Sequence, residues 1–420
     1  MIQDVLFDAS RLLSRTDRSA PTGVDRVCLA YAEWLVEHPE YRMVPVRSRH
    51  DQLALIDDLW FRDCLVELRH RWSGNKPHGS TAESEARLFA ALSSDVLTSS
   101  VISPPPEPGV KTGKKARAWK QYFRAKRVSS APPARLYFNV GHTSLNTPEI
   151  LTGLEAQGIE RVVMLHDLIP ITHPEFCRPG DGAKHRRRVV NALRHASKIL
   201  VNSHYTAHEL KAFAERERLA VPPVEVAHLG LEPIFQQCEP HVTARPYFVH
   251  VGTIEARKNL AFLLSVWRRL EERMGDKAPR LVLIGRYGWE NEAVLDHLQR
   301  SPNLQGLVHQ AENLPDKALA QLMRGAQAVL APSSVEGFDL PAVESCALGV
   351  PLIASDIPAH RELVPQATLI DPLDGLGWLR VIEAATLSKP TAPVYQAPTW
   401  QEHFRRIEDR VLQPTGDAAL

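Results

Sequence analysis

Short apolar runs alternate with helical patterns along this chain, and the alternation restarts once. Residues 4–10 (DVLFDAS), 134–141, 161–167, 198–203 and 224–230 read as strands. Residues 247–252 (YFVHVG), 280–285, 307–310, 328–333 and 351–355 repeat the pattern. Helical periodicity fills the gaps, as in NLAFLLSVWRRLEERM after the first strand of the second set and DKALAQLMRGA before AVLAPS. Strands that are apolar on both faces and separated by helices require a parallel sheet covered on both sides. The fold class is therefore α/β. A chain of 420 residues is too long for one core, and the restart divides it into two doubly wound domains, 1–240 and 241–395. A hinge is expected near 235–246, and residues 396–420 are expected to form a C-terminal helix that packs back on the first domain.

Composition narrows the function classes. Hydrophobic residues make up 44%, charged residues 24%, and the formal net charge is +1, so the whole molecule is not a nucleic-acid binder. Five scattered cysteines without a CxxC argue against a disulfide framework and a cysteine zinc site. The start, MIQDVLFDASRLL, does not read as a signal peptide, and no apolar stretch approaches the length of a membrane span. A cytoplasmic location is the expectation. One insertion, about 103–130, stands apart: SPPPEPG precedes a segment, 111–127, in which eight lysines and arginines interleave with Trp119, Tyr122 and Phe123. A basic helix of this kind could lie on an anionic membrane at the inner face of the cell membrane; the bland alternative is a solvated loop.

Several common signatures are missing. GVKTGKK (109–115) has the wrong spacing for a phosphate loop, and no HExxH, GxSxG or aspartate-rich metal loop occurs. What remains lies at the carboxyl ends of strands, where open α/β sheets bind ligands. In GTIEARKN (252–259), Gly252 ends a strand and Arg257 and Lys258 precede a helix that Asn259 can cap. A planar fork beside a mobile cation suits a diphosphate; the alternative is a solvated turn. In SSVEGFDLPAVESCALGVP, Glu336 follows a buried strand, Asp339 can cap the helix that Pro341 begins, and Glu344 falls in its early turns. A helix N-terminus attracts phosphate, which carboxylates repel, so the two glutamates are better placed as acceptors for neutral hydroxyls flanking it. A ligand with hydroxyls on both sides of a diphosphate is a nucleotide sugar. For Glu344 alone, periodicity leaves a solvent-facing residue equally open.

Together, EGFDLPAVES…GVP with seven residues between its glutamates, and GTIEARKN, resemble retaining glycosyltransferases of family 4, which have the GT-B fold: two Rossmann-like domains facing a deep cleft. The likeness continues in HDLIP (166–170), VNSHYTAHEL (201–210), LVLIGRYGWENE (281–292) and LPDKALAQLMRGA (314–326). It implies that Glu336 holds donor-sugar hydroxyls, Glu344 the nucleotide ribose, and Arg257 and Lys258 the diphosphate. It also implies a loop of Gly337, Phe338, Asp339 and Leu340 around sugar and phosphate, with further donor contacts from Gly23, Gly252, Thr253 and Gly285. His166 matches a histidine near the reacting centre; read alone, it is a strand-end histidine bonded to backbone. Many members carry glycine where this chain has Asp339. The family often has two glycines in the N-terminal loop, here APTGVDRV (20–27) with Gly23 alone. Asn139, His142, Asp167 and Ser203 are acceptor-side candidates.

The resemblance implies metal-independent transfer of a hexose, with mannose or a deoxyhexose such as rhamnose favoured and GDP-mannose as the type donor. No cofactor is expected, the nucleotide sugar being a substrate. The acceptor would be a glycan or a polyprenyl-diphosphate-linked glycan in bacterial surface polysaccharide or lipopolysaccharide synthesis. Two alternatives share the architecture: a nucleotide-sugar 2-epimerase, and a non-catalytic partner that only binds nucleotide sugar.

Overall fold

The computed structural model describes residues 2–49, 51–73, 80–97, 99–103 and 134–412. The basic segment 111–127 lies outside the described residues. Two sheets organise the chain. The first holds β1 (Gln3–Asp8), β2 (Tyr41–Arg49), β3 (Gln52–Leu55), β4 (Leu136–Asn139), β5 (Glu160–Leu165), β6 (Lys198–Val201) and β7 (Val224–Val226) in the order β3-β2-β1-β4-β5-β6-β7. The second holds β8 (Tyr247–Val251), β9 (Arg280–Ile284), β10 (Val308–Ala311), β11 (Val329–Ala331), β12 (Leu352–Ser355) and β13 (Thr368–Ile370) in the order β10-β9-β8-β11-β12-β13.

Every strand expected from the sequence forms, and all pairings are parallel except β2 with β3. The reason is visible in burial: β4 (LYFN), β6 (KILV) and β9 (RLVLI) are buried at every position, as strands covered on both faces must be. Three strands were not anticipated. β2 and β3 form a hairpin at the sheet edge, where YRMVPVRSR mixes charges with a proline and leaves no apolar run to read. β13 is three residues long, also at an edge.

Helices that position the site are α1 (Gly23–Glu37), α2 (His204–Glu217), α3 (Leu260–Met274), α4 (Leu340–Ala347), α5 (Pro358–Leu363) and α6 (Trp400–Ile407). The final helix returns to the first sheet's layer. Trp34 of α1 stacks on Phe404 of α6 with ring centroids 4.6 Å apart, and Tyr31 Oη meets His403 Nε2 at 2.9 Å. A crossing in the other direction precedes the insertion: Val101 accepts from Gln310 N at 2.8 Å, so residues 101–103 lie along β10 of the second sheet. Among the described residues no helix is long and apolar enough to cross a membrane.

Candidate active site

The carboxyl ends of the two sheets meet. β5 delivers His166 and Asp167, β6 delivers Ser203, β8 delivers the 252–258 loop, and β11 delivers the loop that leads into α4. Contact between them is close enough to exclude a side chain. A Cβ on Gly337 would stand 2.5 Å from the carbonyl oxygen of His166, and Gly337 O accepts a hydrogen bond from Ser203 Oγ at 2.7 Å. Ser203 is also the N-cap of α2, accepting from Thr206 N at 3.1 Å. Within the second domain, a Cβ on Gly285 would stand 1.8 Å from Gly252 O, so the loops after β8 and β9 touch only because position 285 is glycine. Thr253 lies in the same contact, with its Cγ2 against Gly288.

Arg257 and Lys258 form the cationic centre, in one 3-10 turn after β8. Arg257 Nε lies 2.5 Å from Glu255 Oε1, and its Nη1 lies 2.5 Å from Glu336 Oε2. Lys258 Nζ lies 2.6 Å from Glu336 Oε1 and 3.3 Å from Asp339 Oδ1. Burial opposes every one of these charges; mutual pairing outweighs it at Arg257, Lys258, Glu336 and Asp339, whereas at Glu255 burial prevails and raises the carboxyl pKa. Glu336 is held below the usual carboxylate range by Arg257 and Lys258. Lys258 is raised in turn by Asp339 and Glu336, and Arg257 by Glu336 and Glu255. Asn259 occupies the expected cap position of α3, but in a left-handed conformation (φ 54°) and without a side-chain cap bond.

Asp339 opens α4 with φ 68° and ψ 70°, a region that residues with a Cβ seldom occupy. Its side chain makes no cap bond to the helix. Its Oδ2 instead faces His360 Nε2 at 3.0 Å, and His360 Nδ1 faces Ser355 O at 2.8 Å. With an acceptor at each ring nitrogen, both must carry hydrogen, so His360 is an imidazolium at 0% exposure. Burial alone would lower its pKa, and the Asp339 carboxylate reverses that.

Glu344 is buried, so it is not the solvent-facing residue its periodicity left open. Burial raises its carboxyl to about 7 against the opposing field of Arg26. Arg26 itself comes from α1 and binds Asp316 through two nitrogens, at 2.7 and 2.6 Å, across the interface. Gly23 is the first residue of α1, and a Cβ there would lie 3.3 Å from Leu340 Cδ1. Phe338 packs its ring 6.2 Å from that of His228.

On the first-domain side, His166 Nε2 donates to Val140 O at 2.8 Å, which leaves Nδ1 the lone pair. Burial lowers its pKa to about 4, so the ring is neutral at pH 7. Its ring is thus bonded to backbone as the isolated reading anticipated, while its position is at the junction with Gly337. His142 Nε2 accepts from His166 N at 3.2 Å, and Asp167 Oδ1 accepts from Ile169 N at 3.1 Å. Asn139 turns inward: its amide contacts Asp8 Oδ2, Tyr137 Oη and Thr143 O.

The sequence reasoning missed His360, Glu255 and the Arg26–Asp316 bridge as site features. His360 follows β12 on α5, so the same strand-end rule could have pointed to it. Arg26 and Asp316 lie 290 positions apart and leave no local pattern.

Residues 232–372 match the family described as glycosyl transferases group 1. The chain is 26% identical over 238 residues to the serotype-specific mannosyltransferase WbdA of Escherichia coli, covering 52% of this chain and 29% of that one. It is 29% identical over 228 residues to the O-antigen chain mannosyltransferase B of Escherichia coli, covering 51% of this chain and 58% of that one. The chain thus spans less than two thirds of either relative. Among solved structures, Anabaena Alr3699/HepE in complex with UDP-glucose superposes with a TM-score of 0.60 at 16% identity, over 98% of this chain and 100% of that one. At that identity the likeness speaks for the fold. The chain has the GT-B fold, and its second domain carries the match to glycosyl transferases group 1.

Proposed function

We propose that this protein is a retaining, metal-independent glycosyltransferase that moves a hexose from a nucleotide diphosphate sugar to a glycan or lipid-linked glycan in bacterial surface-polysaccharide synthesis. The observation that carries the reading is the pairing of half-buried Arg257 and buried Lys258 with Glu336, in the loop whose Gly337 abuts His166. Two cations at this point can neutralise a departing diphosphate, and Glu336, freed from them, can accept hydroxyl hydrogens of the sugar. Glu344 faces the ribose in this reading. The C1–O bond to the diphosphate breaks, the bond to the acceptor oxygen forms on the same face, and the acceptor's proton passes to the departing phosphate oxygen. No side chain is needed as nucleophile or general base. Mannose is the favoured sugar, with a deoxyhexose such as rhamnose next, because the relatives described above are named mannosyltransferases. The same names favour transfer over 2-epimerisation. Membrane contact through 111–127 and cytoplasmic location remain part of the proposal.

The test is a screen of nucleotide sugars for binding and slow hydrolysis, followed by transfer to lipid-extracted acceptor. Binding of GDP-mannose or a nucleotide-linked deoxyhexose with release of the nucleoside diphosphate is expected. A chain that binds no nucleotide sugar, or that isomerises the donor without acceptor, overturns the reading.

A further inference from the structure

A second cluster of ligand-type side chains lies outside the diphosphate machinery. His204 is the first residue of α2, His228 follows β7, and Glu362 sits on α5 in the second domain. Glu362 Oε1 accepts from His228 Nε2 at 2.8 Å and from His204 N at 2.7 Å, while Oε2 accepts from Tyr205 N at 2.9 Å. The two imidazoles stand edge to face, with centroids 6.0 Å apart and planes at 89°. One ligand atom from each of the three side chains lies within 4.8 Å of the others. His204 is exposed, and His228 and Glu362 are half-buried, so an ion can enter from solvent.

We propose that His204, His228 and Glu362 form a binding site for a zinc-class divalent cation that ties the two domains together. Two imidazoles and a carboxylate are a zinc donor set, and three protein ligands leave one position for water. Tetrahedral ligands at zinc bond lengths stand about 3.3 Å apart, so the cluster must contract modestly. The exposed His204 ring is the member free to move. The backbone N–H groups of His204 and Tyr205 already hold the carboxylate, the outer hydrogen bonding that metal-ligating carboxylates require. Because His204 and His228 belong to the first domain and Glu362 to the second, a bound ion pins the junction beside Phe338. The proposal does not depend on the reading of the donor site.

The test is calorimetric titration of the full chain with zinc chloride after chelator treatment. A single saturable site is expected. His204→Ala, which removes an exposed ring, and Glu362→Gln should each weaken it by about tenfold or more. His297→Ala, outside the cluster, should leave it unchanged. Absence of saturable zinc uptake by the wild-type chain, or equal affinity in a folded His204→Ala variant, overturns the proposal.

Discussion

The Asp339 carboxylate and the His360 imidazolium meet at 3.0 Å in the interior, and the other Asp339 oxygen faces Lys258 at 3.3 Å. One residue therefore links a buried cation on α5 to the cation proposed to grip the diphosphate. Asp339 stays in a left-handed conformation that costs of the order of 1 kcal/mol because these two partners hold it there. Replacing Asp339 by Asn should weaken both ion pairs at once. Stability should fall by about 3 kcal/mol, since a buried imidazolium loses its counter-charge. Lys258, freed from one of its two carboxylates, should bind a nucleoside diphosphate more tightly. Chemical denaturation and nucleotide titration of the same variant check the two effects, and unchanged nucleotide affinity would break the proposed link.

The same pair sets a pH window. His360 has a folded pKa raised above its ordinary 6.5, so its contribution is complete below 6.5 and is lost as pH rises through the folded value. Asp339 is depressed below its ordinary 3.8, so its contribution is present above 3.8 and is lost as pH falls toward the folded value. Unfolding midpoints should therefore decline as pH rises above 6.5 in the wild type. In His360→Gln that decline should be shallower, because the titrating group is gone.

Glu344 runs with the sign of His360 and against that of Asp339. Its folded pKa, raised to about 7 by burial, exceeds its ordinary 4.5, so between those values the folded state holds more protons than the unfolded one. Stability attributable to it falls as pH climbs through that window, by up to about 3 kcal/mol. Glu344→Gln should match wild type at pH 5 and exceed it at pH 8. If the carboxylate also accepts ribose hydroxyls, the same variant should bind nucleotide more weakly at pH 8. A variant less stable than wild type at pH 8 would contradict the burial argument.

The layout of this site was readable because its parts sit at strand ends. β5, β8 and β11 are apolar runs in a chain with few other candidates, so His166, Lys258 and Glu336 could be placed at one edge from position alone. What stayed hidden depends on contacts between distant segments. The sequence suggests Asp339 as a helix cap, because aspartate before Pro341 fits that role, whereas its partners Lys258 and His360 reach it only through the fold. The Arg26–Asp316 bridge and the Glu362 cluster span the two domains and likewise have no local signature. The edge hairpin β2–β3 escaped because a strand with one solvated side carries charges that mask it.

Gly337 offers a test of whether the two domains must touch for turnover. Its missing side chain allows the loop to lie against His166 O, where a Cβ would intrude to 2.5 Å, and backbone rather than a pliable side chain is the obstacle. Gly337→Ala should push the loop away from β5 and break the Ser203 Oγ hydrogen bond to Gly337 O. Ser203→Ala removes that bond together with the Thr206 N–H cap of α2 and should cost about 1–2 kcal/mol of stability. Both variants should fold. If closure of this contact assembles the site, Gly337→Ala should lose transfer activity far more than Ser203→Ala while retaining nucleotide binding.

Arg257→Ala addresses the chemistry most directly. Arg257 contacts Glu255 and Glu336, so its removal leaves Glu336 with Lys258 and leaves Glu255 without its guanidinium partner. The buried carboxylates then gain protons more readily, which limits the loss of stability, and the fold should survive with a lower unfolding midpoint. Turnover should fall more severely. Removing one preorganised donor to a developing negative charge costs about 10²- to 10³-fold in kcat. Arg257→Lys should recover part of it, because an ammonium restores charge without the two-pronged geometry. Steady-state kinetics on both variants, beside a thermal melt of each, separate the electrostatic role from a packing role. Near-normal transfer by a folded Arg257→Ala enzyme would remove Arg257 from the diphosphate and return the 252–259 loop to a structural turn.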